Sequence, residues 1–245
     1  MEEFGMPKLK KSGVSAAAVA PHSPKRRPLK VLVLDVGGTH VKMLATGQEV
    51  HRQFDSGKNL TPRHMVSLVR KMVADWDYDA VSMGYPGPVL RNRPLVEPWN
   101  LGKGWVRFDF KAAFKRPIKI MNDAAMQALG SYRGGTMLFL GLGTGLGSAL
   151  IVEGHVVPLE LAHLPYRGAT FEDHVGVRGL EKHGKKKWRK LVADVVARLL
   201  AALQPDEIVL GGGNVKQLKM LPPLCRAGNN DNAFRGGFRL WSSAV

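Results

Sequence analysis

Val31-Leu32-Val33-Leu34-Asp35-Val36-Gly37-Gly38-Thr39 decides the fold: an apolar run too short for a helix breaks into a glycine bend, after which Val41 to Thr46 leads to a Gly47-Gln48 turn. About 106 residues later, Met137-Leu138-Phe139-Leu140-Gly141-Leu142-Gly143-Thr144-Gly145 repeats the arrangement, followed by Ser148 to Val152 and a Glu153-Gly154 turn. Short apolar runs bounded by glycine read as strands. Each copy therefore predicts strand, glycine bend, strand, turn, strand, and the echo predicts two related lobes.

Working outward, Thr61-Pro62 supplies an N-cap and a first helical residue for a helix over 61–74. A strand over 79–84 runs into the turn Gly84 to Pro88. A short helix over 108–114, a buried strand over 118–121 and a helix over 122–132 follow. Trp188, Leu191, Val192, Val195, Val196 and Leu199 recur at helical spacing, which predicts an amphipathic helix over 185–203 whose apolar stripe is core. Ile208 to Leu210 predicts a strand ending in Gly211-Gly212-Gly213, with another helix beginning at Asn214. Strands alternating with helices, with antiparallel hairpins at both echoes, predict an α/β chain whose two lobes flank a cleft. The expected division is a basic leader over 1–30, an N-terminal α/β lobe over 31–121 and a C-terminal α/β lobe over 122–245.

The 245 residues include 36 basic and 20 acidic side chains, a net charge of +16. With 44% hydrophobic and 23% charged residues the composition is globular, which excludes a mostly disordered or fibrous chain. Residues 1–30 hold seven basic groups against Glu2 and Glu3, so most of the excess lies on the remainder. Such a surface attracts a polyanion, whether nucleic acid, anionic membrane or a chain of inorganic phosphate. No zinc-finger, RRM or KH signature accompanies the charge, so no specific nucleic-acid partner is expected. No stretch approaches the roughly 18 apolar residues of a membrane span, and the alanine run within Val14 to Ala20 is weak for a secretory signal. A cytoplasmic protein without a membrane partner is expected. The single cysteine, Cys225, excludes an intramolecular disulfide and a cysteine-cluster zinc site.

A glycine bend after a strand lets backbone N–H groups approach a phosphate, because no Cβ intervenes and positive φ is available. Three such bends occur, at Gly37-Gly38-Thr39, Gly143-Thr144-Gly145 and Gly211-Gly212-Gly213. A lone one would be only a tight turn, but two at equivalent points of a repeat, each with a threonine, favour a phosphate chain gripped from both lobes. Neither G-x-x-x-x-G-K-[ST] nor G-x-G-x-x-G is present. Asp35, at the end of its strand, can hold a metal-bound water beside phosphate, which suits Mg²⁺ with its retained waters; the alternative is a turn-capping role. Asn122-Asp123 lies where a strand meets a helix. The carboxylate there is either an N-cap or a base in the cleft that accepts a proton from an attacking hydroxyl. Glu160 and His163 read first as a surface pair. His155, His163, His174 and His183 show no H-E-x-x-H spacing, so a zinc hydrolase is not indicated.

Taken in order, Asp35 to Thr39, Gly84 to Pro88, Asn122 to Ala125, Gly141 to Gly145, Glu160 to His163 and Leu210 to Gly213 resemble the ROK family of sugar kinases and regulators, within the actin-like ATPase and hexokinase superfamily. The likeness spans about residues 31–215, and the compact length without zinc cysteines looks most like the family's polyphosphate glucokinases. It implies a two-lobed actin-like ATPase (ribonuclease H-like) fold and phosphoryl transfer from polyphosphate, ATP or both to the 6-hydroxyl of glucose or a related hexose, with Mg²⁺ and without zinc. Asp123 matches the family's general base. Asn122, Glu160 and His163, joined by Asn100, match partners of the sugar hydroxyls. Gly37, Gly38, Thr39, Gly143, Thr144 and Gly145 match the phosphate loops, and Gly211, Gly212 and Gly213 the nucleotide-side loop. Members are often homodimers. The family also includes sugar-responsive regulators with the same body, but residues 1–30 are too short and irregular for a helix-turn-helix module. A basic polyanion-binding protein is the other alternative. Two departures stand out: His40 where many members have lysine, and Ala162 where a glycine is common.

Overall fold

The computed structural model describes residues 27–242. In the first half come β1 (Val31–Val36), β2 (His40–Ala45), β3 (Arg52–Asp55), α1 (Pro62–Met72), β4 (Ala80–Tyr85), the two-residue strands β5 (Val89–Leu90) and β6 (Arg93–Pro94), α2 (Phe110–Phe114), β7 (Ile118–Asn122) and α3 (Asp123–Ser131). In the second come β8 (Thr136–Leu142), β9 (Leu146–Val152), β10 (His155–Leu159), the short β11 (Pro165–Tyr166) and β12 (Ala169–Thr170), α4 (Phe171–Val175), α5 (Val177–Leu203), β13 (Glu207–Gly211), β14 (Cys225–Ala227) and α6 (Asn232–Arg239).

The sequence echo is a structural one. One sheet runs β3-β2-β1-β4-β7 and the other β10-β9-β8-β13-β14. In each, the glycine bend joins an antiparallel hairpin, a third strand adds antiparallel, and two parallel strands extend the other side. Parallel strands need crossovers, and α1 and α5 supply two of them. Thr61 caps α1 by accepting from the His64 N–H, with Pro62 in the first turn. Trp188, Leu191 and Val195 of α5 pack with Leu138, Leu140 and Ile208 as the second core, while Leu34, Met65 and Trp105 belong to the first.

Two helices join the lobes. A cluster of Val31, Val33, Met126, Ala233 and Phe234 packs α3 and α6 against β1, and Ala124 and Ala128 pack with Met137, Phe139 and Val209 of the second sheet. α3 and α6 approach backbone to backbone: a Cβ on Gly130 would collide with the Asn232 carbonyl, and one on Gly236 with the Met126 carbonyl. Ser82 Oγ donates to the Gly237 carbonyl at 2.6 Å, and Trp241 Nε1 donates to Ser82 Oγ at 2.9 Å, so α6, late in the chain, is fastened to the first sheet.

Two local expectations need correction, and one helix was not expected. No α-helix begins at Asn214: Val215–Gln217 forms one 3₁₀ turn, and the chain is already extended at Leu218 (φ −75°, ψ 128°). The helix expected over 185–203 is the second segment of α5, which starts at Val177 and breaks at Gly184 (φ 69°, ψ 160°). α6 had no counterpart in the sequence reading, since Gly236-Gly237 argue against a helix on propensity and only the close crossing explains them. Of the basic leader, residues 1–26 lie outside the described residues; Arg27 and Lys30 pair with Asp79 and Asp77 at 2.6 and 2.9 Å.

Candidate active site

The ends of β1, β4 and β7 meet at the first turn of α3. Asp35 pairs in register with Gly84, and Tyr85 with Asn122. Asn122 is the N-cap of α3: its Oδ1 accepts from the Ala125 N–H at 3.0 Å, and its Nδ2 donates to the Gly87 carbonyl at 3.2 Å. One lone pair and one amide hydrogen remain for a ligand. Asp123 follows in the first helical turn, where Oδ1 accepts from the Ala124 N–H at 2.8 Å. The N-cap reading of the Asp123 carboxylate is thus corrected: Asn122 is the cap, and Asp123, the first helical residue, feels the charges of Asp35 and Glu160. Water reaches Asp123, which is half-buried, yet protein surrounds it on most sides. Desolvation first, and then the charges of Asp35 and Glu160, push its carboxyl up to about 7.

The two lobes converge here. A Cβ on Gly84 of β4 would lie 3.5 Å from the Asp123 Cα, and one on Gly147 of β9 would lie 2.7 Å from the Ala124 Cβ. Gly37 is two residues past Asp35 and Gly145 two residues before Gly147, so both bends leave the same junction. The first bend is braced by Ser56, whose Oγ donates to the Gly37 carbonyl at 2.7 Å. In the second, the Gly143 carbonyl accepts from Asn214 Nδ2 at 2.9 Å and from the Val177 N–H at 3.1 Å. The third glycine run abuts the second, with the Asn214 N–H donating to the Leu142 carbonyl at 2.9 Å. Only Gly212 of these glycines has positive φ, 84°. Of the two reasons for glycine, positive φ is not used in the twin bends; close approach accounts for Gly38, whose Cβ would stand 3.0 Å from the Asn100 Cβ, and for Gly145, against Glu172.

On the sugar side of the expectation, Glu160 Oε2 and His163 Nε2 are 4.0 Å apart with both side chains exposed. Burial raises the Glu160 carboxyl, His163 lowers it and Glu172 raises it. Asn100 rests on Gly38. Glu172 was missed by the sequence reading. Its Oε2 accepts from the Leu146 N–H at 3.2 Å, its Oε1 pairs with Arg178 at 3.3 Å, and it lies against the second bend. The available signal was Thr170-x-x-Asp173, which closes a capping box and sets Glu172 in the first turn of α4.

Asp35 fits a hydrated cation. Burial raises its carboxyl against the pull of Lys42, and its charge bears on Asp123, so the strand end carries negative charge that is incompletely compensated. Among the described residues no group of three or more His, Cys, Asp or Glu side chains converges. One carboxylate with retained waters is the donor set Mg²⁺ accepts.

A profile of the ROK family matches residues 31–158. The polyphosphate glucokinase of Mycobacterium tuberculosis is 29% identical over 217 residues, covering 78% of this chain and 80% of that protein. Among solved structures, the inorganic polyphosphate/ATP-glucomannokinase from Arthrobacter sp. strain KM matches with a TM-score of 0.74 at 23% identity, over 86% of this chain and 97% of that one. The ROK family glucokinase from Streptomyces griseus, in complex with glucose and AMPPNP, gives 0.71 at 16% identity, over 86% and 98%. These likenesses show the two-lobed actin-like ATPase fold. Carrying that fold, and matching the family profile over more than half its length, the chain belongs to the ROK family.

Proposed function

We propose that this protein is a hexose kinase that moves the terminal phosphoryl group of inorganic polyphosphate or ATP onto a sugar 6-hydroxyl, with glucose as the first candidate acceptor. The observation that carries the reading is Asp123, a carboxyl poised near neutrality where the two lobes meet. A general base works best with a pKa close to the working pH.

In this reading Glu160, His163, Asn100 and the free valences of Asn122 hold the sugar hydroxyls, leaving the 6-hydroxyl beside Asp123. Asp123 takes the hydroxyl proton as the oxygen forms its bond to the terminal phosphorus, and the bond to the bridging oxygen breaks, releasing the shortened polyphosphate or ADP. Phosphoryl transfer demands positioning and charge neutralisation more than covalent help. The bends at 37–39 and 143–145 face the donor with the backbone N–H groups of Gly38, Thr39, Thr144 and Gly145, those of Gly37 and Gly143 being spent on carbonyls of His40 and of Gly141 and Gly145, with 211–213 behind the second bend. Mg²⁺, held through water by Asp35, would supply neutralisation of the phosphoryl charge. Relatives whose names include glucokinase and polyphosphate support the substrate pair, and the +16 charge favours the longer anion.

A coupled assay of several hexoses against ATP and polyphosphate, each with Mg²⁺, tests the reading. Sugar 6-phosphate from glucose with at least one donor is expected. Sugar binding without turnover on any donor would overturn it and align the chain with the family's regulators.

A further inference from the structure

A concentration of positive charge lies outside the acidic site around Asp123. A groove of about 840 Å³ separates α1 from the start of α2, walled by Arg63, Arg70 and Lys71 on one side and Arg107 on the other, with Phe108 beside it. Arg63, Arg70 and Lys71 stand at i, i+7 and i+8, one face of α1, and all four cations are exposed. None of the four has an ion-pair partner among the described residues, whereas Arg27, Arg52, Arg178 and Arg226 each hold a carboxylate. The one acid in the wall, Asp109, caps α2 by accepting from the Ala112 N–H at 2.9 Å. Four cations facing one groove with a single acid, Asp109, among them repel one another, and a multiply charged anion relieves that repulsion.

The groove is connected to the site by contacts. The Asn100 side chain rests on Gly38, the Gly102 N–H donates to the Leu60 carbonyl at 3.1 Å, and α1 begins two residues later, next to Arg63. Given the reach of an extended chain, these steps set Arg63 within about 30 Å of the first glycine bend. A linear polyanion long enough to span that distance can lie in the groove while its end sits at the bend.

We infer that the α1/α2 groove binds the distal part of a long inorganic polyphosphate chain whose reactive end lies at Asp123. The inference rests on the proposed kinase reading for the position of that end. Uniform cations along a helix face suit a repeating phosphate chain, which has no base edges to read.

The test is equilibrium binding, without sugar, of the full chain and its Arg63→Gln/Arg70→Gln/Lys71→Gln/Arg107→Gln variant to long-chain polyphosphate and to tripolyphosphate across a salt series. The altered side chains are exposed, and an unchanged thermal midpoint checks the fold. Long-chain affinity is expected to fall at least about tenfold, with the slope of log affinity against log salt reduced by about three to four. Tripolyphosphate affinity should move by less than about twofold. Equal losses for both ligands, or no loss for either, would overturn the groove, as would tighter binding of duplex DNA than of long polyphosphate by the unaltered protein. The kinase reading fails separately: long-chain binding that depends on the groove, without transfer from any donor, leaves the groove standing and removes the enzyme.

Discussion

The charge of Asp35, near the end of β1, bears on Asp123 at the start of α3. After desolvation, the Asp35 charge is the largest influence raising the Asp123 carboxyl, which reaches about 7. A proton acceptor is thereby kept available near neutrality, at the first residue of a helix whose N-terminal amides alone would favour the charged form.

The pH dependence of kcat/KM follows. Below about pH 7 Asp123 is protonated, so kcat/KM for glucose should rise about tenfold per pH unit and level off above that point. A profile flat from pH 5 to pH 8 would contradict the assignment.

Stability should run the other way. The folded carboxyl is raised from 3.8 to about 7, so Asp123 favours folding at low pH, and that contribution is lost as pH rises through about 7. Asp123→Asn should therefore gain stability relative to the unaltered protein between pH 5 and pH 8. Between pH 5 and about pH 7 the titration spans about two pH units, about 3 kcal/mol at most, and water access to the half-buried group reduces the expectation to about 1 to 2 kcal/mol. Denaturant unfolding at both pH values measures it; no relative gain at pH 8 would count against the raised carboxyl.

The joint between the lobes predicts a large structural effect. Gly236→Ala would drive a methyl into the Met126 carbonyl, where only backbone movement can relieve it. A loss of about 3 kcal/mol or more is expected in chemical denaturation. A change under about 1 kcal/mol would mean that α3 and α6 do not cross this closely.

Much of this was written in the chain. The apolar runs ending in Gly37 and Gly143 specify strands and bends through local pattern alone, and Thr61-Pro62 marks the start of α1 through capping chemistry. Asn122 and Asp123 could be singled out from their position between a strand and a helix, but their division of labour could not, because it depends on Gly87 and Ala125 for one and on Asp35 and Glu160 for the other. α6 was illegible for the same reason: its glycines oppose a helix locally and are tolerated through contact with Gly130, about a hundred residues earlier. Glu172 belongs to a five-residue helix too short to show periodicity. The α1 cations were visible as charge, but the groove they share with Arg107 exists only once α2 is folded beside them.

The second bend predicts a functional effect with little structural cost. A methyl at Gly145 would meet only the flexible end of Glu172 and push it from the Leu146 amide. Gly145→Ala should lower kcat/KM for the donor about tenfold while stability changes by less than about 1 kcal/mol. Full activity would detach the bend from catalysis.

Glucose 6-phosphate formation by Asp123→Asn tests the central claim most directly, with the folded state verified in the unfolding experiment above. The substitution keeps shape and removes the proton acceptor, so kcat should fall about 100- to 10,000-fold while the KM for glucose stays within about threefold. Turnover close to that of the unaltered protein would contradict the account.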